Sequence, residues 1–180
     1  MLTYDDLVEW AGAEHVTRAD PDAVAGWKIP EDQKQHLVHV GVPMAYALIE
    51  AAALQRESNP QLLTQVGKPL YRLTENRNAD LEPGLIWSFG VEPETGTVYF
   101  VQPDGEACFA NSSIDLWLQC LHHYGRHLSQ SEVLDDPEDR DDEAVAELDQ
   151  IAHRLKEVDP PAFGGYNGAL WAEFLDRWLW

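Results

Sequence analysis

Residues 92–124, EPETGTVYFVQPDGEACFANSSIDLWLQCLHHY, compress two tight turns, two strands and a capped helix into one short stretch that holds no catalytic motif. Alternating apolar residues over 97–102 predict a half-buried strand. Pro103-Asp104-Gly105 then reads as a turn, because proline presets φ and glycine accepts a positive one. A second strand is expected over 106–110. Asn111 or Ser112 can cap the helix that follows, since Ile114, Trp117, Leu118 and Leu121 recur at i, i+3, i+4 and i+7. Gly125 stands where a glycine closes a helix. The segment reads as scaffold.

The rest of the chain extends that pattern into an α+β class. Residues 85–91, LIWSFGV, are denser in apolar and aromatic side chains than an exposed strand, so they belong at the centre of a sheet. With residues 98–101 and 108–110 they form an antiparallel meander, and residues 70–73 add a candidate strand after a loop at Asn59-Pro60. Thr3 can cap an opening helix, with Leu2 and Leu7 as a hydrophobic staple, Leu7 and Trp10 turned inward and Gly12 at its end. Residues 19–27 are punctuated by Pro and Gly and are expected to be irregular. Pro30 suits the first position of a helix running through Leu37, Val38 and His39 to a stop at Gly41-Val42-Pro43. A later helix carries Val145, Leu148, Ile151, Leu155 and Val158 as its apolar stripe and ends at Asp159-Pro160-Pro161. Gly164-Gly165 leads to a last helix with Leu170, Trp171, Phe174, Leu175 and Trp178 on one face. At 180 residues and 44% hydrophobic content, residues 1–180 are expected to form one domain: a largely antiparallel sheet, centred on about 85–110 and flanked by helices.

The opening MLTYDDLVEW lacks a basic n-region and an apolar h-region, and nowhere do about eighteen apolar residues run together. This predicts a cytoplasmic protein without membrane insertion. In a reducing compartment Cys108 and Cys120 are expected to be free thiols. Thirty-two acidic residues against 12 basic ones give a formal charge of −20. That balance argues against nucleic acid and anionic membranes as partners and favours a basic one.

The charge is concentrated. Between residues 132 and 149 lie ten acidic residues and one basic residue, Arg140. The first part, LDDPEDRDDE, is loop-like, and Asp141 or Asp142 can open the following helix at the favourable end of its dipole. A solvated surface explains such a run without function. As half of an electrostatic interface it would steer association with a basic partner, and Asp135, Asp136, Glu138, Asp139, Asp141, Asp142 and Glu143 are the candidate contacts. Among the aromatic residues, Trp27, Tyr166 and Trp180 fall outside periodic stripes and are candidates for exposure.

No catalytic or metal site is expected. His122 and His123 point about 100° apart on a helix, and Gly125 interrupts the i, i+4 pair His123 and His127. His36 and His39 read as surface-facing polar residues. Ser112-Ser113 follow Asn at a cap, where hydroxyls serve backbone donors. Cys108 on an apolar strand has a thiol pushed away from reactivity. Residues 163–168, FGGYNG, lack the Lys-Ser/Thr of a phosphate loop and read as a flexible turn. No cofactor is implied. A small metal-dependent hydrolase using His122 and His127 remains the enzymatic alternative.

Several residues together resemble a family. In order these are Gly41-Val42-Pro43, the strand at 85–91, Glu94-Thr95-Gly96-Thr97-Val98, Ala110-Asn111-Ser112-Ser113 opening a helix, Val158-Asp159-Pro160-Pro161-Ala162, and Leu170-Trp171. From about residue 37 onward this order is similar to the SUKH superfamily of bacterial immunity proteins, and specifically to its fourth family. Val42 replaces the leucine of the family's Gly-Leu-Pro. Residues 44–57 are alanine-rich and helix-like where the family is extended. The resemblance implies a SUKH-like fold with Gly41, Pro43, Gly96, Asn111, Ser112, Ser113 and Trp171 in structural roles. It also implies a non-enzymatic immunity protein that blocks a cognate toxin, nucleases being prominent among such toxins. An interaction or regulatory module for a cellular partner is the alternative use of the same fold.

Overall fold

The computed structural model describes residues 1–77, 86–135, 140–164 and 170–176. Helix α1 (Tyr4–Ala11) opens with the expected capping box. Thr3 Oγ1 accepts from the Asp6 N–H at 3.3 Å, and the Asp6 carboxylate accepts from the Thr3 N–H at 2.8 Å. Leu7 is fully buried and Trp10 half-buried. Strands β1 (Val16–Thr17) and β2 (Val42–Pro43) pair antiparallel, with helices α2 (Pro21–Val24) and α3 (Glu31–His39) between them. The stretch expected to be irregular thus contains one helical turn, because Asp20 accepts from the Asp22 N–H at 2.9 Å and Pro21 supplies the φ of a first position. Pro30 is the N-cap of α3 and not its first residue. At Gly41, φ is +88° and a Cβ would lie 2.9 Å from the Thr17 carbonyl oxygen, so glycine is required twice over.

The main sheet comprises β3 (Ala51–Ala52), β4 (Leu62–Leu63), β5 (Pro69–Arg72), β6 (Thr74–Arg77), β7 (Ile86–Val91), β8 (Val98–Val101) and β9 (Ala107–Asn111), all paired antiparallel. Strand β7 is central, as its apolar density predicts: β5 and β6 lie along one edge and β8 along the other. The pairing shifts by one residue between Arg72↔Gly90 and Asn76↔Trp87. There the Phe89 N–H donates to Thr74 Oγ1 at 2.9 Å, so a side chain replaces a ladder carbonyl. The β8–β9 turn forms at the predicted Pro-Asp-Gly, with the Gly105 N–H donating to the Gln102 carbonyl at 2.9 Å.

Residues 44–57 are not helical, against their composition. The Ala45 and Ile49 backbones exchange hydrogen bonds of 3.0 and 2.8 Å in a tight hairpin, and β3 follows. Burial of Ala45, Leu48 and Ile49 outweighs the weak preference of alanine for helix.

Helices α4 (Ile114–Gln130), α5 (Glu132–Asp135), α6 (Asp141–Val158) and α7 (Leu170–Asp176) complete the order. Helix α4 does not end at Gly125. A Cβ there would fall 2.2 Å from Trp10 Cζ3, so this glycine admits an indole ring instead of a chain reversal. Nor do Asn111 or Ser112 cap α4. Ser113 is the N-cap and makes no side-chain cap bond; Gln33 of α3 reaches across, its Oε1 accepting from the Ile114 N–H at 3.0 Å. The predicted stripe Ile114, Trp117, Leu118 and Leu121 is fully buried. On α6, Leu148, Ile151 and Leu155 are buried and Val158 half-buried. Val145, however, is 48% exposed, and Ala144 takes the inward position. On α7, Leu170, Trp171 and Leu175 are buried. Trp178, Tyr166, Trp180 and the Gly165 to Gly168 part of the expected turn lie outside the described residues.

The apolar core joins sheet and helices through Phe89 and Trp117, whose rings are 5.2 Å apart. Trp27 belongs to it and not to the surface: it is 3% exposed, stacks on Tyr71 at 4.8 Å and donates to the Gln55 carbonyl at 3.2 Å. Residue-by-residue periodicity missed it because its partner is on β5. Among the described residues no helix is long and apolar enough to cross a membrane.

Candidate partner-binding surface

Four of the residues that carry the family resemblance, Asn111, Ser112, Asp159 and Trp171, meet at one node. Asp159, which follows the last turn of α6 and is 1% exposed, accepts from Asn111 Nδ2 at 2.9 Å, from the Ser112 N–H at 2.8 Å and from Ser112 Oγ at 2.8 Å. Asn111 in turn accepts from the Trp171 indole N–H at 2.9 Å. A buried carboxylate is tolerable because three donors replace its water. The node ties β9, the entry to α4, the end of α6 and α7 together. Ser113 Oγ donates to Asp115, Pro43 is buried in β2, and Gly96, at φ +74°, lets the Gln33 amide pass. These contacts all lie within the chain; Pro43, Gly96 and Asn111 are buried, and Ser112 and Ser113 are half-buried.

The acidic candidates divide. Asp141, Asp142 and Glu143 form the first turn of α6 and are exposed, where carboxylates complement the helix dipole. Asp135 ends α5 and is also exposed. Asp136, Glu138 and Asp139 lie outside the described residues. The segment predicted as loop therefore starts and ends in helix. Its flanks are fixed: Ser131 Oγ accepts from the Leu134 N–H at 2.9 Å, and Arg140 donates to the Glu132 carbonyl at 2.7 Å. Glu147 stands apart from the exposed acids, pairing with His127 Nε2 at 3.0 Å. The Ser131 side chain and then His127 hold its carboxyl below the usual range.

Beside Asp135 the structure forms a cleft of about 360 Å³ that the sequence did not announce. Its walls are Trp10 of α1, Met44, Tyr46 of the 45–49 hairpin, Leu128 of α4 and Leu134 of α5. Tyr46 is 74% exposed and Met44 39%. The hairpin is clamped from both sides. The Tyr124 hydroxyl donates to the Tyr46 carbonyl at 3.0 Å; buried Asn76 donates to the Leu48 carbonyl and accepts from the Glu50 N–H at 2.9 Å. Ala47 at the tip has φ +59°, a left-handed conformation that a non-glycine residue adopts at a cost. An aromatic side chain is thus presented on a fixed backbone. The one sequence clue was the stop at Gly41-Val42-Pro43, after which an uncapped helix was a poor expectation.

His122 and Cys120 are buried, and His123 and Cys108 are half-buried. Trp10 donates its indole N–H to His122 Nδ1 at 3.2 Å. Burial holds the His122 imidazole below its ordinary value. Burial and then the Arg154 guanidinium push His123 down to about 4. His39 is exposed as expected, whereas His36 is half-buried and bonds the Asp32 carbonyl at 2.8 Å. Cys108 and Cys120 form no disulfide, and burial pushes the Cys120 thiol up to about 12. Among the described residues no three His, Cys, Asp or Glu side chains are grouped to hold a metal ion.

No curated protein and no solved structure matches the chain significantly. The model of a family described as SUKH-4 immunity protein matches residues 2–177, nearly the whole length, and the chain belongs to that family.

Proposed function

We propose that this chain acts as a single non-enzymatic immunity domain that binds a cognate bacterial toxin and blocks it by occupying a basic surface of the toxin. Family membership over residues 2–177 carries the reading. The charge supports its finer part. A formal −20, with Asp135 exposed at the end of α5 and Asp141, Asp142 and Glu143 exposed in the first turn of α6, suits a partner rich in Lys and Arg. Nucleases are such partners, because phosphate contact demands basic residues; an acidic protein seated on them excludes the nucleic acid by charge and bulk. The interior supports it too, since Asn111, Ser112 and Trp171 are engaged with one another and with Asp159, which leaves specificity to other residues.

Co-expression with the toxin encoded beside this chain tests the reading. Growth should be rescued, and failure with every neighbouring candidate would sink it. Charge reversal of Asp141, Asp142 and Glu143 should slow association about tenfold at low salt and flatten its salt dependence. Unchanged rates would return the acidic run to a solvated surface.

A further inference from the structure

The cleft between the 45–49 hairpin and helices α1, α4 and α5 combines two properties that a plain apolar groove lacks. Aromatic and thioether side chains form its walls, and a carboxylate, Asp135, stands at its rim. Its most exposed wall, Tyr46, rides on a hairpin whose carbonyl oxygens at residues 46 and 48 are held by Tyr124 and Asn76. A partner therefore meets a site whose ordering entropy is already spent. Gly125 lines the floor, and its missing Cβ is what lets the Trp10 ring lie close against α4.

We propose that this cleft is the anchor site of the interface and receives one arginine side chain from the basic face of the toxin; the proposal rests on the toxin-binding reading above. A purely apolar anchor would strip water from Asp135 and return nothing. Arginine matches both elements: its stem packs on Met44 and Leu128, its planar guanidinium stacks on the Trp10 or Tyr46 ring, and its N–H groups pair with the carboxylate. Arg126, the one Arg or Lys on α4, acts on His122 and His123 and does not line the cleft. Large rigid aromatics beside a charged group are the usual composition of the few residues that dominate an interface.

Titration calorimetry of the folded full chain against the neighbouring toxin, inactivated at its catalytic residue, decides the matter. Tyr46→Ala and Asp135→Asn should each weaken binding by about tenfold or more, at unchanged melting temperature. Met44→Ala provides a second apolar variant. Alanine substitution of the toxin's surface arginines in turn should find one whose loss is felt by the wild-type chain and adds nothing against Asp135→Asn. If the wild-type chain binds while Tyr46→Ala, Met44→Ala and Asp135→Asn bind equally well, the cleft is not the anchor. Loss with Tyr46→Ala and none with Asp135→Asn makes the occupant apolar and overturns the arginine. A wild-type chain that binds no neighbouring toxin overturns the functional reading and this proposal with it.

Discussion

Asn111 donates its side-chain N–H to the buried carboxylate of Asp159 at 2.9 Å, joining the end of β9 to the end of α6 across 48 residues of sequence. The pair is the centre of the motif. Removing the carboxylate strands the buried Asn111 N–H and leaves the half-buried Ser112 N–H and hydroxyl without their acceptor. Asp159→Ala should therefore cost about 3–5 kcal/mol in urea unfolding. Asp159→Asn should recover part of the loss, because its amide oxygen can still accept from the Asn111 and Ser112 N–H groups while its NH2 donates to the Ser112 hydroxyl. A loss below about 1 kcal/mol in Asp159→Ala would deny the node its role.

Gly125→Ala sets two effects of opposite sign against each other. Alanine in a helix interior is worth about 1 kcal/mol more than glycine. The new Cβ, however, would sit 2.2 Å from Trp10 Cζ3, and the ring is held by its bond to His122. Overpacking should win, with a net loss of about 1–3 kcal/mol. Trp10→Leu in the same chain should recover part of it. Stabilisation by Gly125→Ala alone would mean that the ring moves freely.

These two sites also show where sequence reasoning reached and where it stopped. The capped α1, the Pro-Asp-Gly turn, central β7 and the α4 stripe are local patterns, and each formed where the pattern stood. Gly125 escapes a local reading because the residue that explains it, Trp10, lies on another helix, and Trp27 because its partner Tyr71 lies on strand β5. The cap of α4 comes from Gln33 of α3, which no local cap rule can find. The acidic surface was legible as charge alone. The cleft was not, since its walls come from four separate segments and Tyr46 was hidden in an alanine-rich run.

The His123 imidazole gives the fold a pH dependence of known sign. Its folded pKa of about 4 lies below the unfolded value near 6.5, so the unfolded chain binds the proton more tightly. The stability this imidazole contributes is fully present above about pH 6.5 and is lost as the pH falls toward 4. His122 shifts the same way. Protonating the excess carboxylates relieves self-repulsion and opposes the trend, so the wild-type curve alone is ambiguous. The difference between His123→Gln and wild type removes that term. The variant should lose less stability than wild type between pH 6.5 and 4 in thermal melts, and parallel curves would exclude the assignment.

Gly96 and Gln33 should be coupled. At φ +74° any side chain at residue 96 is strained by roughly 1 kcal/mol, and a Cβ there would also stand 2.3 Å from the Gln33 amide. That amide is the acceptor for the first N–H of α4, so displacing it strands the Ile114 N–H in the core at about 1–2 kcal/mol. Gly96→Ala therefore carries two costs and Gln33→Ala one of them. In the double variant the steric conflict is gone and the cap is already lost. Gly96→Ala should then add only its backbone strain. The cycle should show a coupling of about 1–2 kcal/mol in chemical denaturation; strict additivity would mean that the β7–β8 turn and the start of α4 are held independently.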